Sequence, residues 1–209
     1  MRKDIKMKTK MNLPNKLTVL RLILVPVIMV VMLLPLDTIP YGVISALIFG
    51  AASYTDMLDG KIARRDNLIT DFGKFLDPLA DKFMVIGAMM MLIFRHGGVL
   101  QICLTIAATV VVFRELAVTS IRLVASGSGV VVAANMLGKI KTVSQIIFIL
   151  CALLEPVIFE VASIASGMDL VKYDYHVLTY VSMALSTFFA VLSGVNYLKS
   201  YWKFLDPEK

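Results

Sequence analysis

Four aspartates lie where two strongly apolar segments of the sequence meet. Asp56 and Asp59 are three residues apart at the end of one segment, and Asp77 and Asp81 are four apart at the start of the next. Both spacings place the two carboxylates of a pair on one face of a helix. If the two helices pack as an antiparallel hairpin, the pairs face each other. The sequence therefore predicts four carboxylates in one small volume.

Carboxylates at this density need positive charge around them. Like charges that leave water repel one another, and burial penalises each ionised group. No cysteine or histidine stands near them, and oxygen ligands suit Mg²⁺ or Mn²⁺, with Ca²⁺ as the alternative. Four carboxylates predict a site for two divalent cations about 3.5–4 Å apart, as in enzymes of phosphoryl displacement. A pathway for protons or cations is the alternative role for ionisable residues at membrane depth.

Small and basic residues accompany the aspartates. Gly60, Ala63 and Gly73 would leave a groove in which a ligand approaches the helix backbone. Lys61 and Arg64 add positive charge beside that groove, which suits phosphate groups. The pattern therefore favours a phosphate-bearing ligand next to the predicted cations.

The rest of the chain is dominated by long apolar runs. The 209 residues are 58% hydrophobic, with a mean hydropathy of +0.82, whereas an ordinary globular protein is about 45–50% apolar. Crossing a bilayer takes about 20 apolar residues, and the backbone in lipid needs internal hydrogen bonds, so the runs predict helices. We predict an all-α integral membrane protein, with a basic segment over 1–16 and one domain over 17–209. Its six predicted spans are Leu17–Leu36, Gly42–Ile62, Lys74–Phe94, Val99–Val124, Thr142–Ala162 and Tyr175–Leu198.

Basic residues are distributed asymmetrically between the two sides of these spans. The net charge is +6, and seventeen lysines and arginines fall in the two termini and the second and fourth connections. Only Arg95 and Lys172 fall in the other connections. The positive-inside rule then places both termini and the aspartate cluster in the cytoplasm. Asp66 and Asp71, in the second connection, are expected to be solvated. No basic stripe alternates with aromatic residues, so nucleic acid is not an expected partner.

The residues around the aspartates form a pattern that resembles the signature of the CDP-alcohol phosphotransferase family. All eight defining positions are present at the family's spacing, as D-x-x-D-G-x-x-A-R over 56–64 and G-x-x-x-D-x-x-x-D over 73–81. Three more segments are similar to family members that use glycerol 3-phosphate: MNLPNKLTVLRLILVP from Met11, residues 113–142, and LSGVNYLKSYWK near the end. The resemblance implies a six-helix enzyme of a bacterial plasma membrane that forms homodimers.

The resemblance also implies a reaction and roles for the signature residues. A phosphatidyl group passes from CDP-diacylglycerol to sn-glycerol 3-phosphate, giving phosphatidylglycerophosphate and cytidine monophosphate in the synthesis of anionic membrane lipid. Asp56, Asp59 and Asp77 are implied to ligate two divalent cations, Mg²⁺ or Mn²⁺. Asp81 is implied to complete the metal site and to act as general base on the attacking hydroxyl. The residues implied to bind the CDP-lipid are Asp56, Gly60, Ala63, Arg64 and Gly73.

A second basic cluster is expected to hold the phosphate of the acceptor. Arg114 lies within the fourth span, where an unpaired guanidinium is costly, so it needs Glu115, an aspartate or the substrate phosphate as its partner. Lys139 and Lys141 open the fifth span, where free backbone N–H groups also favour anions. Together with Arg122 they form the expected acceptor-phosphate subsite. Anchoring at the membrane surface is the alternative for Arg122 and the two lysines.

Two further groups of residues lie near the ends of the membrane spans. Polar residues at the start of the first span either reach the cytidine or serve as caps and snorkelling anchors. They are Asn15, Thr18 and Arg21. Aromatic residues at the end of the last span are predicted to form a belt at the membrane surface. They are Tyr197, Tyr201 and Trp202.

Two other functions remain as alternatives. A related enzyme would use another acceptor, such as inositol phosphate, serine or a second lipid, with the same cation site. A divalent-cation transporter would need carboxylates at mid-membrane and a route to both sides. The four aspartates cluster near one face of the predicted membrane segments, which disfavours transport.

Overall fold

The computed structural model describes residues 11–66, 68, 70–127, 135–169 and 176–202. Within these residues the chain forms helices and no strand, which confirms the all-α fold class. The predicted number of six helices is confirmed as well. They are α1 Leu13–Leu33, α2 Thr38–Arg65, α3 Asp71–Arg95, α4 Gly98–Gly127, α5 Met136–Ser166 and α6 Val177–Tyr201.

Among the helices that begin before the apolar runs that predicted them, three have polar side chains that cap their first turns. Asn12, Thr70 and Asn135 each accept a hydrogen bond from the backbone N–H three residues further on, at 3.0, 3.1 and 2.7 Å. Consequently α1, α3 and α5 start three to six residues earlier than the predicted spans. The caps lie outside the hydrocarbon pattern, so hydropathy alone does not locate these helix ends.

Most of the helices are suited to a membrane. In the described part of the chain, five helices are long and apolar enough to cross a bilayer: α1, α2, α4, α5 and α6. The chain is therefore a multi-pass membrane protein. α3 is not among the five because Asp77, Asp81 and Lys82 interrupt its apolar part. The crossing of α3, which would make the sixth span, stays a prediction.

The helices pack into one bundle with a continuous apolar core. α1 packs against α2 and α3, α5 packs against α2 and α6, and α4 packs against α3 and α6. Large apolar side chains such as Leu47, Ile102 and Phe113 point outward, as contact with lipid requires. The interior is filled by buried side chains from all six helices, including Met32, Phe49, Leu92, Leu104, Phe148 and Ala190.

A glycine allows α2 and α5 to approach closely. A Cβ atom at Gly42 would lie 2.3 Å from Val157 Cγ2 and 2.5 Å from the backbone oxygen of Leu153. Real side chains do not tolerate contacts this short, so any larger residue would separate the two helices. Small residues at such crossings are how membrane helices pack when lipid is as apolar as their side chains.

A buried carboxylate connects α5 to α6. Glu155 accepts hydrogen bonds from the backbone N–H of Leu178 and of Thr179, both at 2.7 Å, and from the Thr179 hydroxyl at 2.6 Å. A carboxylate at the start of a helix satisfies free N–H groups and complements the helix dipole. Glu155 lies fourteen residues after Lys141, about 21 Å along α5 at the helical rise, so this contact fixes the end of the bundle remote from the aspartates.

Candidate active site

Two side chains of α1 connect three of the four aspartates. The Arg21 guanidinium is fully buried and forms ion pairs with Asp56, at 2.5 Å from NH1 to Oδ1, and with Asp59. The Thr18 hydroxyl donates to Asp77 Oδ1 at 2.7 Å and lies 3.4 Å from Asp59 Oδ2. A buried charge needs a partner of opposite sign, and Arg21 supplies it for both carboxylates of α2.

These contacts exclude snorkelling for Thr18 and Arg21, and their contact with the cytidine stays a prediction. Both side chains point inward to the aspartates and are buried, so neither snorkels to the membrane surface. Asn15 is buried too, and its side-chain oxygen accepts a hydrogen bond from the Thr70 hydroxyl at 3.0 Å. The first helix therefore contributes a polar face to the site, which the apolar pattern of the sequence does not reveal.

Asp81 forms no hydrogen bond or ion pair with Thr18 or Arg21, and it lies on the wall of a cavity of about 670 Å³. Asp56 also lines that cavity, whereas Asp59 and Asp77 do not line it and face α1. The cavity lies at the end of the bundle where α2 ends and α3 begins. The structure thus divides the four carboxylates into two that reach the cavity and two that lie behind it.

The side chains of the site can be compared with the ligands that divalent cations prefer. Carboxylates and the Thr18 hydroxyl offer only oxygen atoms, and these suit hard divalent cations such as Mg²⁺ or Mn²⁺. Within the described residues, however, no group of three or more acidic, histidine or cysteine side chains lies close enough to hold one metal ion. The donor set fits a divalent cation, and the number of cations and their ligands stay predictions.

The predicted groove residues have mixed positions. Gly73 is buried against α1, because a Cβ atom there would lie 3.0 Å from Asn15 Oδ1 and 3.8 Å from Asp77 Oδ2. It therefore permits close packing of α3 on α1 beside the aspartates. Gly60 and Ala63 lie half-buried on the last turns of α2. The Arg64 side chain lies outside the described residues, and its role in binding stays a prediction.

The basic cluster lies on the other side of the same cavity, on α4 and α5. Its four members, Arg114, Arg122, Lys139 and Lys141, all line the cavity. Arg114 has the anionic partner that its depth requires: its NH1 lies 2.9 Å from Glu115 Oε1. Lys141 Nζ contacts the same oxygen at 2.5 Å. Arg114, Glu115 and Lys141 therefore form a buried ionic triad.

Arg122 and Lys139 differ from this triad. Both are exposed to the cavity, and among the described residues no carboxylate lies within 4.0 Å of either one. Arg122 instead donates a hydrogen bond to the hydroxyl of Tyr197 at 2.8 Å. These two residues present the positive charge of the cluster that a bound anion would meet first.

The prediction that Tyr197 belongs to an aromatic belt at the membrane surface is wrong. Its side chain is buried, lines the cavity and contacts Arg122. Trp202, by contrast, is exposed, as a belt residue would be. A signal for the burial of Tyr197 was present in the spacing of small residues on α6, because Ser186, Ala190 and Ser193 precede it at intervals of four and three and are buried.

Asp66, in the connection between α2 and α3, pairs with its neighbour in the sequence. Asp66 is exposed, and Arg65 Nε donates to its Oδ1 at 2.7 Å. This hydrogen bond lowers the pKa of Asp66 below its ordinary value. A solvated pair of this kind contributes little to stability, in agreement with the expectation for Asp66.

Comparison with known proteins identifies the family. The profile of the CDP-alcohol phosphatidyltransferase family matches residues 11–192. A Bacillus subtilis (strain 168) protein named CDP-diacylglycerol–glycerol-3-phosphate 3-phosphatidyltransferase is 43% identical over 206 residues, 93% of this chain and 97% of its own length. Proteins of the same name from Salmonella choleraesuis and Escherichia coli are 40% and 38% identical over 157 residues, 74% of this chain and 84% of theirs. The resemblance found in the sequence is confirmed, and the chain belongs to the CDP-alcohol phosphatidyltransferase family.

Proposed function

We propose that this chain transfers the phosphatidyl group of CDP-diacylglycerol to sn-glycerol 3-phosphate, producing phosphatidylglycerophosphate and cytidine monophosphate. One observation carries the proposal: a single cavity has carboxylates on α2 and α3 and basic side chains on α4 and α5. The relatives at 38–43% identity are named for this activity. A cavity of mixed charge accommodates both a cation-assisted diphosphate and the phosphate of an acceptor.

The chemistry of transfer requires one proton acceptor beside the acceptor hydroxyl. The hydroxyl oxygen of glycerol 3-phosphate forms a bond to the phosphorus that bears diacylglycerol, and the bond from that phosphorus to cytidine monophosphate breaks. Asp81, which lies on the cavity wall, would take the proton of the hydroxyl as the new bond forms. Arg122 and Lys139 would hold the acceptor's phosphate, and the triad of Arg114, Glu115 and Lys141 would keep the wall behind it in place.

Divalent cations complete this proposal. We assign Asp56, Asp59 and Asp77 as their ligands, with Asp81 completing the site, because these residues match the family signature and offer only oxygen. When bound, Mg²⁺ or Mn²⁺ supplies charge neutralisation of the diphosphate and stabilises the leaving phosphate oxygen. Arg21 and Thr18 hold the carboxylates of α2 and α3 at fixed positions in the bundle.

The membrane location suits a lipid substrate. The cavity lies at one end of the bundle, so the head group of CDP-diacylglycerol would enter it at the membrane surface while the acyl chains remain among lipids. The distribution of basic residues supports placing this end, with both termini, in the cytoplasm. A homodimer is the expected assembly from the family resemblance.

An assay of cytidine monophosphate release tests the proposal. Purified protein in detergent receives CDP-diacylglycerol, Mg²⁺ and one acceptor at a time: glycerol 3-phosphate, inositol phosphate, serine or glycerol. We expect release with glycerol 3-phosphate, and its loss when Mg²⁺ is chelated. Release with another acceptor alone would assign a different member of the family. No release, together with Mg²⁺ flux into liposomes, would support a transporter.

A further inference from the structure

The last helix carries two buried hydroxyls that the proposed chemistry does not use. Ser193 and Tyr197 lie one turn apart on the same face of α6, with exposed fractions of 0% and 2%. A hydroxyl buried in a membrane protein is costly unless it makes a hydrogen bond. Both hydroxyls make theirs with arginines of the basic cluster, so this face of α6 borders the proposed acceptor-phosphate subsite.

Ser193 supports the buried triad. Its hydroxyl accepts a hydrogen bond from Arg114 NH2. The neighbouring Gly194 leaves room for the arginine stem, because a Cβ atom there would lie 3.1 Å from Arg114 Cγ. Arg114 is therefore held from two sides, by Glu115 through NH1 and by α6 through NH2.

Tyr197 makes a wider set of contacts. Its hydroxyl accepts hydrogen bonds from Arg122 NH2 at 2.8 Å and from the backbone N–H of Asn135 at 3.3 Å. The guanidinium carbons of Arg122 and Arg114 lie 5.2 and 5.9 Å from its ring centroid, within the range of cation–π attraction. One side chain of α6 therefore contacts both arginines of α4 and the residue that precedes α5.

Through its contact with Asn135, Tyr197 also affects the position of Lys139. The Asn135 side chain caps α5 by accepting a hydrogen bond from Gly138 N at 2.7 Å. Lys139 is the next residue and lines the cavity with Arg122. Tyr197 thus fixes Arg122 directly and fixes the first turn of α5, which carries Lys139, through Asn135.

We propose that Tyr197 is a positioning residue of the acceptor-phosphate subsite, whose hydroxyl sets Arg122 and the first turn of α5 around the phosphate of the acceptor. A long arginine side chain loses conformational freedom when it binds a ligand, and holding it in place beforehand reduces that loss. This proposal rests on the proposed function, because it takes the acceptor to be a phosphate ester.

Steady-state kinetics of Tyr197→Phe test the proposal, since this change removes the hydroxyl and keeps the ring. We expect the KM for glycerol 3-phosphate to rise by about tenfold, the scale of one hydrogen bond to a charged group. The kcat and the KM for CDP-diacylglycerol should change by less than about twofold, because the hydroxyl contacts neither reacting atoms nor the aspartates. Competitive inhibition by inorganic phosphate should weaken in parallel. A purely structural defect would lower kcat or the amount of active protein instead.

Matched variants make the test specific. Tyr201→Phe is the control, because Tyr201 is the next turn of α6 and its ring stacks on Tyr197 at 6.3 Å between centroids. We expect it to leave the KM for glycerol 3-phosphate unchanged. In an Arg122→Gln background, Tyr197→Phe should raise the KM less than it does alone, because the hydroxyl then acts only through its contact with Asn135. Tyr197→His, which keeps a polar ring atom, should recover part of the affinity and serves if the phenylalanine variant does not fold.

The possible results separate the two proposals. An unchanged KM in Tyr197→Phe and Tyr197→His, an equal rise in Tyr201→Phe, or full additivity with Arg122→Gln would each overturn the role of Tyr197 while the proposed function stands. If the wild-type protein releases cytidine monophosphate only with an acceptor that lacks phosphate, the proposed function fails, and the inference fails with it.

Discussion

At the scale of single residues, Arg21 of α1 forms ion pairs with two aspartates of α2, Asp56 and Asp59. Its guanidinium is buried and pairs with two carboxylates, so removing it leaves buried negative charge without a partner. The sequence did not decide its role, because an arginine four residues into a predicted span also fits a snorkelling anchor. Only the packing of α1 on α2 turns the side chain toward Asp56 and Asp59.

This position leads to a prediction for stability. Arg21→Met keeps the apolar stem and removes the charge, and we expect a loss of about 3 kcal/mol, as for breaking a buried ion pair. Thermal unfolding of the purified protein measures the change. Arg65→Met is the matched control, because that arginine is exposed and, among the described residues, its ion pair is with exposed Asp66. Equal losses in the two variants would contradict the structural role of Arg21.

Asp81 carries the second prediction at this scale. Asp81→Asn removes the proposed general base with little change in shape, and we expect kcat to fall by about 10²–10⁴-fold, the usual contribution of such a group. The rate of cytidine monophosphate release measures it, with folding monitored by circular dichroism. Asp66→Asn, in the solvated connection, should keep full activity. Substantial turnover in Asp81→Asn would reject the assignment of the base.

At the scale of helices, the apolar pattern predicted where each helix lies but not where it ends. The caps at Asn12, Thr70 and Asn135 extend three helices beyond the hydrocarbon runs. The pattern also placed Tyr197 at the membrane surface, because an aromatic residue near a span end fits a belt. Its burial depends on α4 and α5 packing beside it, and a single helix does not carry that information.

The crossing of α2 and α5 gives a prediction for this scale. Gly42→Ala would bring a Cβ atom against a backbone oxygen of α5, which cannot rotate away, so we expect a loss of about 1–3 kcal/mol from overpacking. Gly50→Ala is the control on the same helix, because a Cβ atom there meets nothing within 4 Å. Thermal unfolding compares the two. Similar stability in both variants would show that α2 and α5 do not approach as described.

At the scale of the whole molecule, the proposed orientation places the second connection in the cytoplasm and the third outside. Single cysteines replace Leu68 and Gly97, with Cys103 and Cys151 changed to alanine. In intact cells, a membrane-impermeant maleimide should label the cysteine at 97, and the cysteine at 68 should react only after permeabilisation. This pattern requires α3 to cross the membrane. Labelling of both positions from one side would rule out the sixth span.

At the same scale, side chains from α2 to α6 line one cavity, Arg21 of α1 pairs with Asp56 on its wall, and Thr18 of α1 holds Asp77 behind it. The signature over 56–64 and 73–81 predicted the acidic side of this arrangement from spacing alone. On the basic side, the sequence predicted four candidates and an anionic partner for Arg114 alone. In the structure, Arg114 and Lys141 form ion pairs with Glu115, whereas Arg122 and Lys139 face the cavity. That difference arises from contacts between helices.

The most direct test of the account is the product made by purified wild-type protein from CDP-diacylglycerol and glycerol 3-phosphate. Mass spectrometry identifies the lipid, and chromatography quantifies cytidine monophosphate. We predict one molecule of phosphatidylglycerophosphate for each cytidine monophosphate released, with both absent in Asp81→Asn. Cytidine monophosphate released without that lipid, or in the absence of glycerol 3-phosphate, would contradict the account.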